Sequence, residues 1–226
     1  LGSPLREVTF VVPTGNFGDI FAGYCAQRMG LPIRTLAIAT NSNDILARTL
    51  ETGRYETGAV TPTISPSMDI QVSSNFERLL FDCGGRDGAA LAEQMRGFEA
   101  TKAMRLTNAQ REGAAALFSS TRADANEMAR AMAWAAGECG EVVDPHTAIG
   151  LHAARAADLP REVPVVTLAT AHPAKFPDAV ERATGQRPHL PARVGDLFDR
   201  EERYAELPGD YDAVAAYVAE HETPSV

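Results

Sequence analysis

Residues 7–39 read as a strand, a glycine-bearing loop, a helix and a second strand, and that succession restricts the chain to few folds. Glu7 to Val12 is a β-branched and aromatic run, as in a strand buried on both faces. Pro13-Thr14-Gly15-Asn16-Phe17-Gly18-Asp19 follows as a loop, and Ile20 to Met29 reads as a helix stopped by Gly30. Ile33 to Ala39 is the next strand. Two strands joined through a helix build a parallel sheet with right-handed crossovers, so the expected class is α/β.

The rest of the chain fits that class. Asn43 is expected to cap a short helix carrying Ile45, Leu46 and Leu50 on one face, and residues 57–68 a loop. Ser74 to Glu77 and Thr107 to Gln110 have the spacing of capping boxes. Leu91, Met95 and Phe98 mark one helix and Met128, Met132 and Ala135 another, with the methionine stripe expected in the core. Asp144-Pro145 opens a helix to Ala156 with a cap and a first-turn proline. Val163 to Ala169 reads as a strand. A helix, a proline-rich crossing and a last helix with Tyr211, Val214, Ala215 and Val218 on one face complete the chain. With so few strands, a partial three-layer sheet with flanking helices is expected.

The net charge is −9 and the only lysines are Lys102 and Lys175, which argues against a nucleic-acid partner. Three scattered cysteines without a CxxC pair point to reduced thiols rather than a disulfide framework or zinc site. No apolar run reaches the roughly 18–20 residues that span a bilayer, and no signal peptide opens the sequence, so no membrane partner and a soluble cytoplasmic protein are expected. The first residue is Leu1 and a strand follows almost at once, as in a piece of a longer protein.

The strongest chemical signal is the loop Gly15-Asn16-Phe17-Gly18-Asp19. A helix start leaves backbone N–H groups without partners in a positive partial field, and glycines let an anion approach the backbone. A phosphate cup fits, and so does a plain structural turn. The loop is neither G-x-G-x-x-G nor an ATP P-loop. Asp19 sits awkwardly beside a dianion, so its carboxylate is expected to turn away and cap a neighbouring amide.

Five blocks carry a family resemblance. Val12 to Tyr24 resembles the phosphate-loop segment of threonine synthases. So do Ala39-Thr40-Asn41 with Asn43 to Leu46, Ser65 to Phe81, Asp144 to Gly150, and Leu168 to Phe176, in the family's order. The resemblance implies the tryptophan-synthase-β-like fold (fold type II) of enzymes that use pyridoxal 5'-phosphate to convert O-phosphohomoserine and water to threonine and phosphate. Residues 1–226 would then form the C-terminal part of the large cofactor-binding domain, with 195–226 a helical tail. Carried over by position, the backbone of Gly15, Asn16, Phe17, Gly18 and Asp19 would hold the cofactor phosphate. Thr170 would face the pyridine nitrogen, and His172 and Lys175 could meet the substrate's phosphate. In the family, an anchoring lysine moves protons at Cα and Cβ, phosphate leaves from Cγ and water adds at Cβ. That lysine's Phe-Lys-Asp type segment is absent here, so no catalytic residue is expected in this chain, which alone should be inactive and need the missing N-terminal half.

Two alternatives remain at this point: a related dehydratase of the same fold, or a non-catalytic phosphate- or cofactor-binding module. His172 could equally cap local backbone. Asp144 with His146 is read as a helix cap rather than a metal or acid–base pair, and His152 as a packed histidine. Ser67, Asp69, Ser73 and Asn75 form a polar cluster that could border the site.

Overall fold

A computed structural model describes residues 6–159 and 162–221. The chain divides into two compact units, residues 1–188 and 189–226. The first unit contains, in order, β1 (Val8–Pro13), α1 (Gly18–Arg28), β2 (Ile33–Thr40), α2 (Ile45–Thr52), β3 (Arg54–Glu56), α3 (Phe76–Cys83), α4 (Gly88–Thr101) and β4 (Ala103–Arg105). Then come α5 (Asn108–Ala115), β5 (Phe118–Arg122), α6 (Ala125–Trp134), α7 (Pro145–Ala156), β6 (Val165–Thr167) and α8 (Pro177–Thr184). The second unit holds short 3-10 turns at Ala192–Val194 and Leu197–Asp199 and one helix, α9 (Tyr211–Glu220).

The main sheet is parallel throughout, in the order β5-β2-β1-β6. Strand alternation explains its three layers, because successive side chains leave opposite faces. Val8, Val12, Leu36 and Ile38 join a large core with Phe17 and Ile20 of the α1 region, Ile45 and Leu46 of α2, and Phe76 and Leu79 of α3. Val11, Ala37 and Ala39 point the other way, to Met128 of α6 and Ile149 and Ala153 of α7. Alanines on that face bring α7 close. The approach is tightest at Gly150, where a Cβ would stand 2.7 Å from Thr167 Cγ2 and 3.2 Å from Pro13 Cγ.

The expected α/β architecture, the helices around Met128/Met132 and at Pro145–Ala156, and the Thr107/Gln110 capping box are all present. Gly30 takes a left-handed φ of 105° after α1, as expected of a helix stop. Four differences have physical reasons. Asn43 does not cap α2: its side-chain oxygen accepts from Thr61 N and its amide nitrogen donates to Thr61 O and Asp69. Ser74 does not cap α3, whose N-cap position is Asn75, because Ser74 Oγ turns to Asn16 Oδ1. Tertiary partners outcompete the local cap in both cases. The strand β5 has a polar sequence, and β3 and β4 are three residues each, too short for a period to show. The strand expected over 163–169 narrows to β6, after Pro164. In the second unit, Tyr211, Val214 and Val218 do share α9, but all three are exposed.

Candidate functional site

The loop leaving β1 is held by its carbonyls. Thr14 N donates to Ala39 O at 2.8 Å. Gly15 O accepts from Ser73 Oγ at 2.7 Å, and Asn16 O accepts from Asn75 Nδ2 at 2.8 Å and Asn75 N at 3.1 Å. With these oxygens tied to the segment before α3, the amides of Gly15, Asn16, Phe17, Gly18 and Asp19 have no acceptor among the described residues. Phe17, which precedes α1, sits at φ 65° and ψ 12°. A left-handed phenylalanine is uncommon, and such a residue turns successive N–H groups toward one concavity. Its ring is buried 5.3 Å from Phe76 and 5.6 Å from Phe118, so core packing stabilises the conformation the loop requires.

The two glycines act differently. A Cβ at Gly15 would stand 3.2 Å from Ser67 O and 3.4 Å from Met68 Cα, both backbone atoms that cannot swing aside. At Gly18 the nearest atom to a Cβ is Asn75 Nδ2 at 3.9 Å, an ordinary contact. Gly15 is therefore needed for close approach of chain to chain. At Gly18 no such backbone obstacle stands in the way of a side chain.

A cleft of about 160 Å³ joins Gly15, Asn16 and Asp19 to Thr170 and Lys175, with His146 entering from α7. It lies beyond the carboxyl ends of the adjacent parallel strands β1 and β6, where α/β sheets place ligands. Of the residues carried over from the resemblance, Gly15, Asn16, Asp19, Thr170 and Lys175 line this cleft. Gly18 lies in the same loop, and the Phe17 side chain is in the core. His172 takes its local role: its Nδ1 accepts from Ala174 N at 3.1 Å and caps the 3-10 turn Pro173–Lys175. Asp19 caps no amide at the start of α1, contrary to expectation, and borders the cleft instead.

Sequence reasoning undervalued Asp144 and His146. Asp144 does cap α7, accepting from His146 N at 2.9 Å and Thr147 N at 3.1 Å, and it also takes the Thr147 hydroxyl. In addition its Oδ2 lies 2.7 Å from His146 Nδ1. Burial pushes the Asp144 carboxyl up, but the hydrogen bonds from the His146 and Thr147 side chains and amides outweigh it and hold the group below the usual carboxylate range. The only signal in the sequence was the Asp-Pro-His order, which lets one carboxylate serve both the helix end and the imidazole.

The polar cluster expected at the border is a set of props. Asp69 Oδ1 accepts from Asn41 Nδ2 at 2.7 Å, Asn43 Nδ2 at 3.0 Å and Thr63 Oγ1 at 2.6 Å. This network fastens the 57–75 segment to the end of β2, and so delivers Ser67 and Met68 to the cleft and Ser73 and Asn75 to the loop carbonyls. A larger hollow, about 590 Å³, lies among α1, α3 and α4 against Phe21, Phe81 and Met29. It receives none of the free amides, so size alone does not mark the site. No group of three or more His, Cys, Asp or Glu residues suited to a metal ion occurs among the described residues.

Residues 147–218 match the family model "Threonine synthase, C-terminal". A threonine synthase of Pseudomonas aeruginosa is 51% identical over 98% of this chain and 47% of its own length. The structure of PLP-bound threonine synthase from Brucella melitensis superposes with a TM-score of 0.90 at 50% identity, covering 97% of this chain and 47% of that one. Yeast threonine synthase gives 0.83 at 36% identity, with 97% and 48% covered. The chain thus spans about half the length of the curated relatives it matches. These matches and the parallel sheet with helices on both faces agree in one assignment: over the length it spans, the chain belongs to the threonine synthase family, with the fold of its type II pyridoxal-phosphate enzymes.

Proposed function

We propose that this chain forms the phosphate-binding side of a pyridoxal 5'-phosphate site in a threonine synthase acting on O-phosphohomoserine. The observation that carries the reading is the row of five amides, Gly15 to Asp19, left without acceptors at the start of α1 beside the cleft. The residues fit the group: the amides suit a dianion, no Cβ stands over Gly18, and a buried imidazole nitrogen in the wall lacks a partner. In this reading the chain is the C-terminal part of the large cofactor-binding domain, and residues 195–226 are its tail.

Bound there, the cofactor supplies the electron sink for the elimination and hydration that turn the phosphoester into threonine and phosphate. The chain's own residues position and polarise. The amides of Gly15 to Asp19 grip the phosphate, and Ser73 and Asn75 keep them aimed by holding the loop carbonyls. The Thr170 hydroxyl, which lines the cleft, would partner the pyridine nitrogen, where a neutral group stabilises positive charge less than a carboxylate would. Lys175, and His172 through the ring nitrogen not used in its cap, meet the substrate phosphate. The anchoring lysine belongs to a segment outside this sequence.

Borohydride reduction tests the division of labour. In the full-length enzyme the cofactor should become fixed to one lysine outside these 226 residues, and the present chain reduced with pyridoxal phosphate should yield no single modified lysine. Stoichiometric fixation on Lys102 or Lys175, read by peptide mass mapping, would overturn the assignment.

A further inference from the structure

One buried polar atom in the wall of the cleft has no partner among the described residues: Nε2 of His146, a residue only 4% exposed. Buried polar groups are almost always hydrogen-bonded, and an exception in a site wall calls for a ligand. The fold aims this one. His146 and Gly150 are four residues apart on one face of α7, and at Gly150 that face lies against Pro13 at the end of β1 and Thr167 at the end of β6. One turn toward the helix start, His146 passes the strand ends and reaches the space between the loop leaving β1 and Thr170. Asp144 fixes its other nitrogen at 2.7 Å, and the Phe176 ring packs 4.7 Å from the imidazole centre.

We infer that His146, held by Asp144, is a further binding residue of this cleft and shares a proton at Nε2 with an oxygen of the bound phosphate. The inference rests on the cofactor site proposed above. With Nδ1–H donated to the Asp144 carboxylate, a neutral imidazole presents a lone pair at Nε2. A phosphate dianion presents only lone pairs too. Contact therefore requires one proton more than the separated partners carry, placed between Nε2 and the phosphate oxygen and taken from solvent on binding. The ionised Asp144 balances the resulting imidazolium. The other charged groups on the cleft are Asp19 from α1 and Lys175 after β6, while Glu127 of α6 faces His152 rather than His146.

The test uses the full-length apoenzyme, wild type and His146→Asn, with pyridoxal phosphate and phosphate-free pyridoxal as probes. Calorimetry in two buffers of different ionisation heat counts protons. It is run above the second ionisation of a phosphate monoester, about 6, so that the ligand enters as the dianion. His146→Asn should bind pyridoxal phosphate roughly 10- to 100-fold more weakly, the size of one charge-assisted hydrogen bond, and take up nearly one proton fewer, with pyridoxal affinity almost unchanged. His146→Gln, whose longer side chain keeps a neutral donor at about the reach of Nε2, should recover most of the affinity but not the proton. It also carries the test if the Asn variant does not fold. Unchanged affinity and proton count in both variants would overturn the inference while leaving the cofactor site standing. Equal losses for both probes would place the contact on the ring and overturn the phosphate assignment. A folded wild-type protein that binds no pyridoxal phosphate would remove the cofactor site, and this inference with it.

Discussion

Valine at Gly18 of the full-length enzyme is expected to weaken pyridoxal phosphate binding about 100-fold or more while hardly changing the melting temperature. The asymmetry follows from the local geometry. A Cβ at Gly18 meets nothing closer than Asn75 Nδ2 at 3.9 Å, and β-branching at an exposed first helical position costs under about 1 kcal/mol. The side chain would nevertheless stand in the approach to the free amides. Losing two charge-assisted hydrogen bonds at roughly 1.5–3 kcal/mol each, with about 1.4 kcal/mol per tenfold, gives about 10²- to 10⁴-fold. Gly15→Val should lose both cofactor and stability, because its Cβ presses on Ser67 O at 3.2 Å and Met68 Cα at 3.4 Å. Cofactor titration by absorbance, with thermal melts on the same samples, separates the two effects. Equal affinity in Gly18→Val and wild type would remove the backbone cup from the site.

Replacement of Asp144 by alanine should produce the largest loss of stability of any single change near the cleft. The carboxylate is fully buried and receives two backbone amides, the Thr147 hydroxyl and the His146 ring. Removing one partner of a buried charged network costs about 3–5 kcal/mol, which at 2–4 °C per kcal/mol lowers the melting temperature by roughly 10 °C. The pH dependence has a definite sign. Burial opposes ionisation, but the four hydrogen bonds prevail, so the folded pKa lies below the unfolded value of about 3.9. The stabilisation is complete above that unfolded value and is lost as pH falls through the lower, folded one. Asp144→Asn keeps a capping oxygen without the charge. It should therefore be less stable than wild type near neutrality and show a shallower decline below about pH 4 in melts across the acid range. Parallel acid limbs would contradict the linkage.

What the sequence revealed and what it hid follow from the range of the interactions. β1, α1 and β2 were legible because buried strands and a glycine-stopped helix leave contiguous signatures, and α7 because the adjacent pair Asp144 and Pro145 marks its start. The edge strand β5 was not, since Phe118-Ser-Ser-Thr-Arg owes its conformation to hydrogen bonds with β2 rather than to any apolar period. Asn43 and Ser74 looked like caps because a sequence window cannot see Thr61, Asp69 or Asn16, the partners that claim them. The same limit applied to the site. The glycine loop showed where an anion could sit, but the clamp of Ser73 and Asn75 on its carbonyls spans nearly sixty residues of chain. His146 was read through its neighbour's cap, and only the packing of α7 on β1 and β6 revealed where its second nitrogen ends up.

Hydrogen–deuterium exchange of the full-length protein with and without pyridoxal phosphate reports directly on the amides of residues 15–19. If they grip the phosphate, peptides covering Gly15 to Asp19 should exchange markedly more slowly in the holo form, and pyridoxal without its phosphate should leave them fast. Exchange in that segment that is indifferent to the phosphate, in a protein that demonstrably holds the cofactor, would contradict the assignment.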